Sequence, residues 1–195
     1  MPEPEADAPP RVDWLTATDL ADGRAGGIGM TVLPGKRGPS MRYPGRVYRA
    51  DLHADLAALR DTGIIRLVLL VEDEELIRWG DTALGTRAAA FGIAVDRHPM
   101  PDGCPPASVT KMDAILRSIS EARDVADAAV ACMGGVGRTG TVAACALVVA
   151  GCEADAAIAR IRQVRHPMAV ETEAQKQFVQ RYWYELRGRS ATVSS

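Results

Sequence analysis

One cysteine and one arginine, six positions apart, bracket the stretch of this sequence best equipped for chemistry. Cys132 ends the apolar run Ala128, Ala129, Val130, Ala131, and Arg138 closes a loop of Met133, Gly134, Gly135, Val136 and Gly137. Thr139 and Gly140 follow, then an apolar run with no breaker until Gly151. The order reads as strand, glycine-rich loop, helix start. The first N–H groups of a helix lack an intrahelical partner and carry partial positive charge, so this turn aims backbone donors at an anion. Gly134, Gly135 and Gly137 can take positive φ, which lets the loop curl until those donors converge. A thiol at the base of such a cradle, beside a guanidinium, is favoured as thiolate. Arg138 offers a planar fork that matches two oxygens of a tetrahedral oxyanion. These residues suit in-line displacement at a phosphoryl group, with Cys132 as the nucleophile and residues 133–138 as the seat.

The flanking sequence must supply the elements that hold this loop. Residues 28–32 read as a first strand and 33–45, with three prolines and three glycines, as a loop that includes the basic pair Lys36 and Arg37. Residues 47–49 are short and extended. Asp51 is a candidate N-cap for a helix with Leu52, Leu56 and Leu59 at helical spacing, stopped by Gly63. The run 64–71 is β-branched and almost wholly apolar, as in a central strand of a parallel sheet. A helix broken at Gly80 is predicted over 72–90 and a strand over 93–98. The four prolines of 99–106 make a stiff loop. Ser108 caps a helix marked by Val109, Met112, Ile115, Leu116 and Ile119. Further helices are predicted over 139–150, 154–164 and 171–186. Strands alternating with helices imply one α/β domain, with a mostly parallel central sheet flanked by helices on both faces. The reactive loop then lies at the carboxyl end of its strand, where open α/β sheets bind ligands. Residues 1–12, acidic and proline-rich at their start, are expected to be a disordered tail. The domain is expected over 13–187 and a flexible tail over 188–195.

Composition narrows the function classes. A net charge of −2 with interspersed signs gives no electrostatic reason for a nucleic-acid partner. No charged-then-apolar leader is visible at the start, and no apolar run approaches a membrane span. Cys104, Cys132, Cys145 and Cys152 show neither metal spacing nor a disulfide framework and suit a reduced cytoplasm. The three histidines are scattered, so no metal site is expected.

The segment Cys132, five residues, Arg138, Thr139, Gly140 resembles the signature of the cysteine-dependent protein tyrosine and dual-specificity phosphatases. The stretches around Leu33 to Lys36, Arg49 to Leu52 and Glu72 to Leu76 resemble the branch typified by cyclin-dependent kinase inhibitor 3, the kinase-associated phosphatases. The resemblance implies a tyrosine-phosphatase-like fold and hydrolysis of phosphoprotein monoesters through a phosphocysteine, without a cofactor. Phosphotyrosine is the expected substrate, with phosphoserine and phosphothreonine open. Asp102, on the proline-stiffened loop, matches the family's general acid, which must protonate the leaving oxygen. Its competitors are Asp96 and the plain role of a turn aspartate. By the same resemblance the Thr139 hydroxyl donates to the Cys132 sulfur, and Gln175 orients the hydrolytic water. An alternative for Gln175 is a solvated first helical turn. Lysine is absent from Met133 to Gly137, which favours a phosphoprotein over a polyphosphorylated lipid. One departure stands out: Ala131 occupies the place where the family usually has histidine, so slower chemistry is expected. Two rival readings are a phosphate-binding protein without turnover and a rhodanese-type sulfurtransferase. Nothing in the sequence specifies a protein partner.

Overall fold

The computed structural model describes residues 7–41 and 43–193. In chain order the strands are β1 (Asp13–Leu15), β2 (Ile28–Val32), β3 (Arg37–Pro39), β4 (Val47–Arg49), β5 (Ile64–Leu69), β6 (Ala94–Arg97) and β7 (Asp127–Cys132). The helices are α1 (Ala17–Leu20), α2 (Leu52–Asp61), α3 (Asp73–Trp79), α4 (Leu84–Ala89), α5 (Val109–Arg123), α6 (Gly137–Val149), α7 (Ala154–Val164) and α8 (Glu173–Val193). The main sheet has the order β1-β2-β7-β5-β6, parallel except for β1, which runs antiparallel to β2. A separate hairpin pairs β3 with β4. This is the α/β fold with a mostly parallel sheet that the alternation of elements predicts.

The alternation of side chains along a strand explains how the layers assemble. On β7, Ala128, Val130 and Cys132 enter one apolar cluster, with residues of α5, α6, α7 and α8. Ala129 and Ala131 enter the other, with Leu52, Leu56 and Leu59 of α2 and Leu84 and Ala88 of α4. Small side chains on this strand let helices approach from both sides. α6 is buried from Gly137 to Val148, as expected of a helix apolar all round. It therefore runs through the core, and the reactive loop joins two core elements.

Several local signals act as their chemistry predicts. The Asp51 carboxylate accepts from Ala54 N at 2.9 Å, and the Ser108 hydroxyl accepts from Lys111 N at 3.1 Å, capping α2 and α5. The break predicted at Gly80 is present: the helical stretch over 72–90 is two helices, α3 and α4, with Gly80 at the end of the first. Other expectations need correction. β1 and β3 were not anticipated. β3 lies inside the segment read as loop, held by pairing with β4 rather than by its own propensity. Residues 7–12 do not behave as the expected tail. Asp7 N donates to Arg49 O at 3.3 Å, and the Asp7 carboxylate accepts from Arg49 N at 2.8 Å, because the edge of β4 offers both groups. Residues 1–6 lie outside the described residues. At the other end, α8 continues through 188–193, where a flexible tail was expected, and Ser194 and Ser195 lie outside the described residues. Asp113 on α5 secures α8 by accepting from Tyr182 Oη and Arg189 Nη1, both at 2.8 Å.

Candidate active site

β7 delivers Cys132 to the carboxyl edge of the sheet, opposite Val32 of β2, with 3% of its surface exposed. The chain then turns through Met133, Gly134, Gly135 and Val136 into α6. The helix begins at Gly137, not at Thr139 as predicted. Arg138 and Thr139 therefore belong to its first turn, where main-chain N–H groups are free. No backbone acceptor among the described residues takes an N–H of Met133, Gly134, Gly135, Val136, Gly137 or Arg138. Of the loop glycines only Gly135 has positive φ, at 65°. A Cβ there would lie 2.4 Å from Arg165 Nη2 and 2.5 Å from the Thr31 carbonyl oxygen, so glycine is obligatory. Arg165 Nε donates to the Gly135 carbonyl at 2.8 Å, and its Nη1 pairs with Asp13 of β1 at 2.7 Å.

Arg138 is 1% exposed and oriented by a carboxylate that the sequence reading did not single out. Glu75 of α3 accepts from both terminal nitrogens, at 2.6 and 2.7 Å, a bidentate pair. The Met100 carbonyl accepts from Nη1 at 2.9 Å, and Asp102 lies 3.1 Å from Nη2. Burial alone would lower the pKa of Arg138. The bonds to Glu75 and the negative charges of Cys132, Glu75 and Asp102 outweigh it and raise the value. Glu75 shows the converse: burial would raise its pKa, and the Arg138 bonds bring it below the ordinary carboxylate value. Two buried polar atoms on consecutive residues, Arg138 Nε and Thr139 Oγ1, have no hydrogen-bond partner among the described residues. Buried donors without partners are rare, and these two adjoin the sulfur-bearing loop.

Lys36, noted above only as half of a basic pair, reaches the loop from the segment after β2. Its ammonium donates to the Met133 carbonyl at 3.1 Å. Burial lowers its pKa, opposed by Tyr48 and by the charge of Cys132. Asp55 supports this arm. It is 2% exposed, and one carboxylate oxygen accepts from Gly35 N at 2.7 Å while the other is unpartnered among the described residues. Burial raises the Asp55 pKa.

Asp102 sits at the rim, its side chain 83% exposed, on a loop tied down from α8 and the residues before it. Thr172 Oγ1 donates to the Gly103 carbonyl at 2.8 Å and Gln175 Nε2 to the Cys104 carbonyl at 3.4 Å. Gln175 is fully buried, and its amide oxygen accepts from Glu171 N at 2.8 Å and Thr172 N at 3.3 Å. The amide predicted to orient water is thus engaged with backbone, close against Gly137, and acts on the acid loop. Asp96 is remote: on β6, it pairs with Arg66 at 3.1 Å and accepts from Ser118. Cys104 is exposed, Cys152 half-buried and Cys145 fully buried, the last with its pKa pushed well up by burial. Among the described residues no group of three or more metal-ligating side chains occurs, and no helix is long and apolar enough to cross a membrane.

Cys132, Arg138 and Asp102 share one cavity of about 810 Å³ with Lys36, Glu75 and Glu171. Its outer wall includes Tyr43, Tyr48 and Trp79, and residues Asp7, Ala8 and Pro10 also line it.

A mostly parallel α/β sheet with a cysteine, a glycine-bearing turn into a helix and a buried arginine at its carboxyl edge defines a tyrosine-phosphatase-type domain. The chain belongs to the family described as PTP-SAK, Swiss Army Knife protein, DSP-PTPase phosphatase domain, which residues 46–180 match. Cyclin-dependent kinase inhibitor 3 of Rattus norvegicus is 24% identical over 196 residues, covering 100% of this chain and 86% of that protein. The crystal structure of kinase associated phosphatase with its catalytic-site cysteine changed to serine superposes with a TM-score of 0.79. That match has 22% identity and covers 93% of this chain and 98% of the other. Tk-PTP in its active form gives a TM-score of 0.65 at 28% identity, covering 84% and 93%. The likeness to the dual-specificity superfamily and its kinase-associated branch, read from the sequence, therefore holds.

Proposed function

We propose that the protein hydrolyses phosphotyrosine in phosphoproteins through a phosphocysteine intermediate. The observation that carries this reading is the turn from Met133 to Arg138, whose N–H groups meet no backbone acceptor among the described residues, between the buried Cys132 and the buried Arg138 in one cavity. In the first step the Cys132 thiolate attacks phosphorus, the P–O bond to the tyrosine breaks, and Asp102 gives its proton to the leaving oxygen. In the second, water attacks the same phosphorus and loses a proton to Asp102. The P–S bond breaks, inorganic phosphate leaves, and the thiolate returns. The N–H groups and Arg138 hold the equatorial oxygens through both steps, and Thr139 Oγ1, without a hydrogen-bond partner among the described residues, donates to the departing sulfur. The Asp102–Arg138 contact fits this sequence. A bound phosphoryl group competes for Nη2 and leaves Asp102 facing the leaving group. The aromatic wall of Tyr43, Tyr48 and Trp79 supports an aryl ester.

Hydrolysis of p-nitrophenyl phosphate and of a phosphotyrosine peptide tests the proposal. Wild type is expected to turn over both and Cys132→Ser neither, while Cys132→Ser still binds the phosphopeptide. Binding without turnover by wild type would make the domain a phosphate reader. Thiosulfate-dependent thiocyanate formation would instead support a sulfurtransferase.

A further inference from the structure

Residues 7–10 reach the site from the amino end, and neither chemical step uses them. Asp7, Ala8 and Pro10 line the cavity that contains Cys132 and Arg138. Ala8 is exposed whereas Cys132 and Arg138 are buried, so this segment belongs to the solvent-facing rim of the cavity. Its two ends are anchored on different elements. Asp7 takes both backbone groups of Arg49 on β4: its N–H donates to the carbonyl at 3.3 Å, and its carboxylate accepts from Arg49 N at 2.8 Å. The Arg11 carbonyl accepts from Thr31 Oγ1 at 3.2 Å and from Arg165 Nη1 at 3.4 Å. Arg165 also holds the Gly135 carbonyl of the reactive turn. The segment thus links the hairpin to the side of the reactive turn.

The two anchors are unequal. Beyond Arg11 the chain enters β1, where Asp13 is paired with Met30 in the sheet and with Arg165. Ahead of Arg11, residues Ala8, Pro9 and Pro10 make no backbone hydrogen bond among the described residues, and the prolines have no N–H to give. The outer end is therefore held at Asp7. Four residue steps from Asp7 to Arg11 cover at most about 14 Å, and the prolines fix φ, so the segment has little slack while both ends are held.

We propose that residues 7–10 are a strap that selects substrates by size, with Asp7 as its specificity-determining residue. This rests on the phosphatase reading above. Closed, the strap admits small aryl phosphates to the seat. Released at Asp7, it admits a phosphotyrosine carried on a polypeptide, whose backbone must lie at the rim that the strap occupies. If only the released form accepts a polypeptide, kcat/KM for that substrate is reduced by the fraction of molecules released. The bonds at Asp7 keep this fraction small. Weakening them raises the rate on a polypeptide and leaves a small ester unaffected.

The test sets a phosphotyrosine peptide against p-nitrophenyl phosphate and follows the ratio of their kcat/KM values, peptide over ester. Asp7→Ala is expected to raise that ratio about 3- to 10-fold, the factor that one net hydrogen bond contributes, with the p-nitrophenyl phosphate value unchanged. Asp7→Asn should keep the ratio within about twofold of wild type, because its amide oxygen accepts the same bond from Arg49 N. Because the ratio compares two substrates on one enzyme, a general change of activity does not move it. An unchanged ratio in Asp7→Ala overturns the strap. A lower ratio also overturns it, since the segment is then a wall on which the peptide rests. Both results leave the phosphatase reading standing. If wild type turns over neither substrate, that reading fails, and hydrogen exchange in Cys132→Ser with the peptide bound decides the strap alone. Faster exchange at the N–H groups of Asp7 and Arg49 supports release, and slowed or unchanged exchange overturns it. Absence of turnover together with absence of peptide binding overturns both.

Discussion

Arg138 shows how much a single side chain here depends on its neighbours. A buried guanidinium costs several kcal/mol of desolvation unless a carboxylate answers it, and Glu75 does so with both oxygens. Glu75→Gln removes the charge and one of the two matched bonds. The expected result is a loss of about 3 kcal/mol of stability, within the range measured for breaking buried pairs. A drop in kcat of tenfold or more with p-nitrophenyl phosphate is expected as Arg138 turns out of register, by analogy with lost oxyanion donors. Urea titration and initial rates check the two effects separately. Lys36→Met is expected to slow alkylation of Cys132 by iodoacetamide at neutral pH, because a positive charge held on the carbonyl of the next residue, Met133, is removed. Asp55 yields a prediction in pH. Its carboxyl titrates above the ordinary value when folded, because it is buried, so the folded state holds its proton more tightly than the unfolded state. Stability then falls as pH rises from the unfolded carboxyl pKa through the folded one. Asp55→Asn should flatten that part of a Tm-against-pH curve.

At the scale of elements, the acid loop is not stiffened by its prolines alone. Thr172 and Gln175, at the start of α8, hold the carbonyls of Gly103 and Cys104. Thr172→Val therefore should slow hydrolysis of phenyl phosphate, a poor leaving group, more than that of p-nitrophenyl phosphate; equal slowing would remove Asp102 from the acid role. The reactive turn has its own requirement at Gly135. Gly135→Ala combines positive φ with contact on the Thr31 carbonyl, so a loss of roughly 1–3 kcal/mol and severe loss of activity are expected. What the sequence made legible follows from distance along the chain. Cys132 and Arg138 are close together, and the strand, loop and helix around them announce themselves by apolar runs and glycines. Glu75 and Lys36 lie 57 and 96 residues before Cys132 and reach Arg138 and the Met133 carbonyl only because β5 and β2 flank β7. For Glu75 the local signs were an acidic helix start after the central strand and the family resemblance of Glu72 to Leu76, and neither assigns it a partner. Lys36 looked like a loop cation. Gln175 was readable as a polar residue near a helix start but not as a buried support, because burial there comes from packing against Gly137.

Across the whole molecule, both ends of the described chain bear on the fold where the sequence alone suggested loose tails. The α8 extension places Arg189 on Asp113, which also takes the Tyr182 hydroxyl. Truncation after Leu186 removes the exposed half of that pairing and leaves the Tyr182 half. Only a small fall in Tm is expected, since exposed ion pairs contribute little. At the amino end, Asp7 pairs with β4 while Ala8 and Pro10 line the cavity. Any label or fusion partner joined ahead of Asp7 is thus tethered beside the cavity that holds Cys132 and Arg138. Rates measured on amino-terminally tagged material would therefore report on the tag as well as on the enzyme.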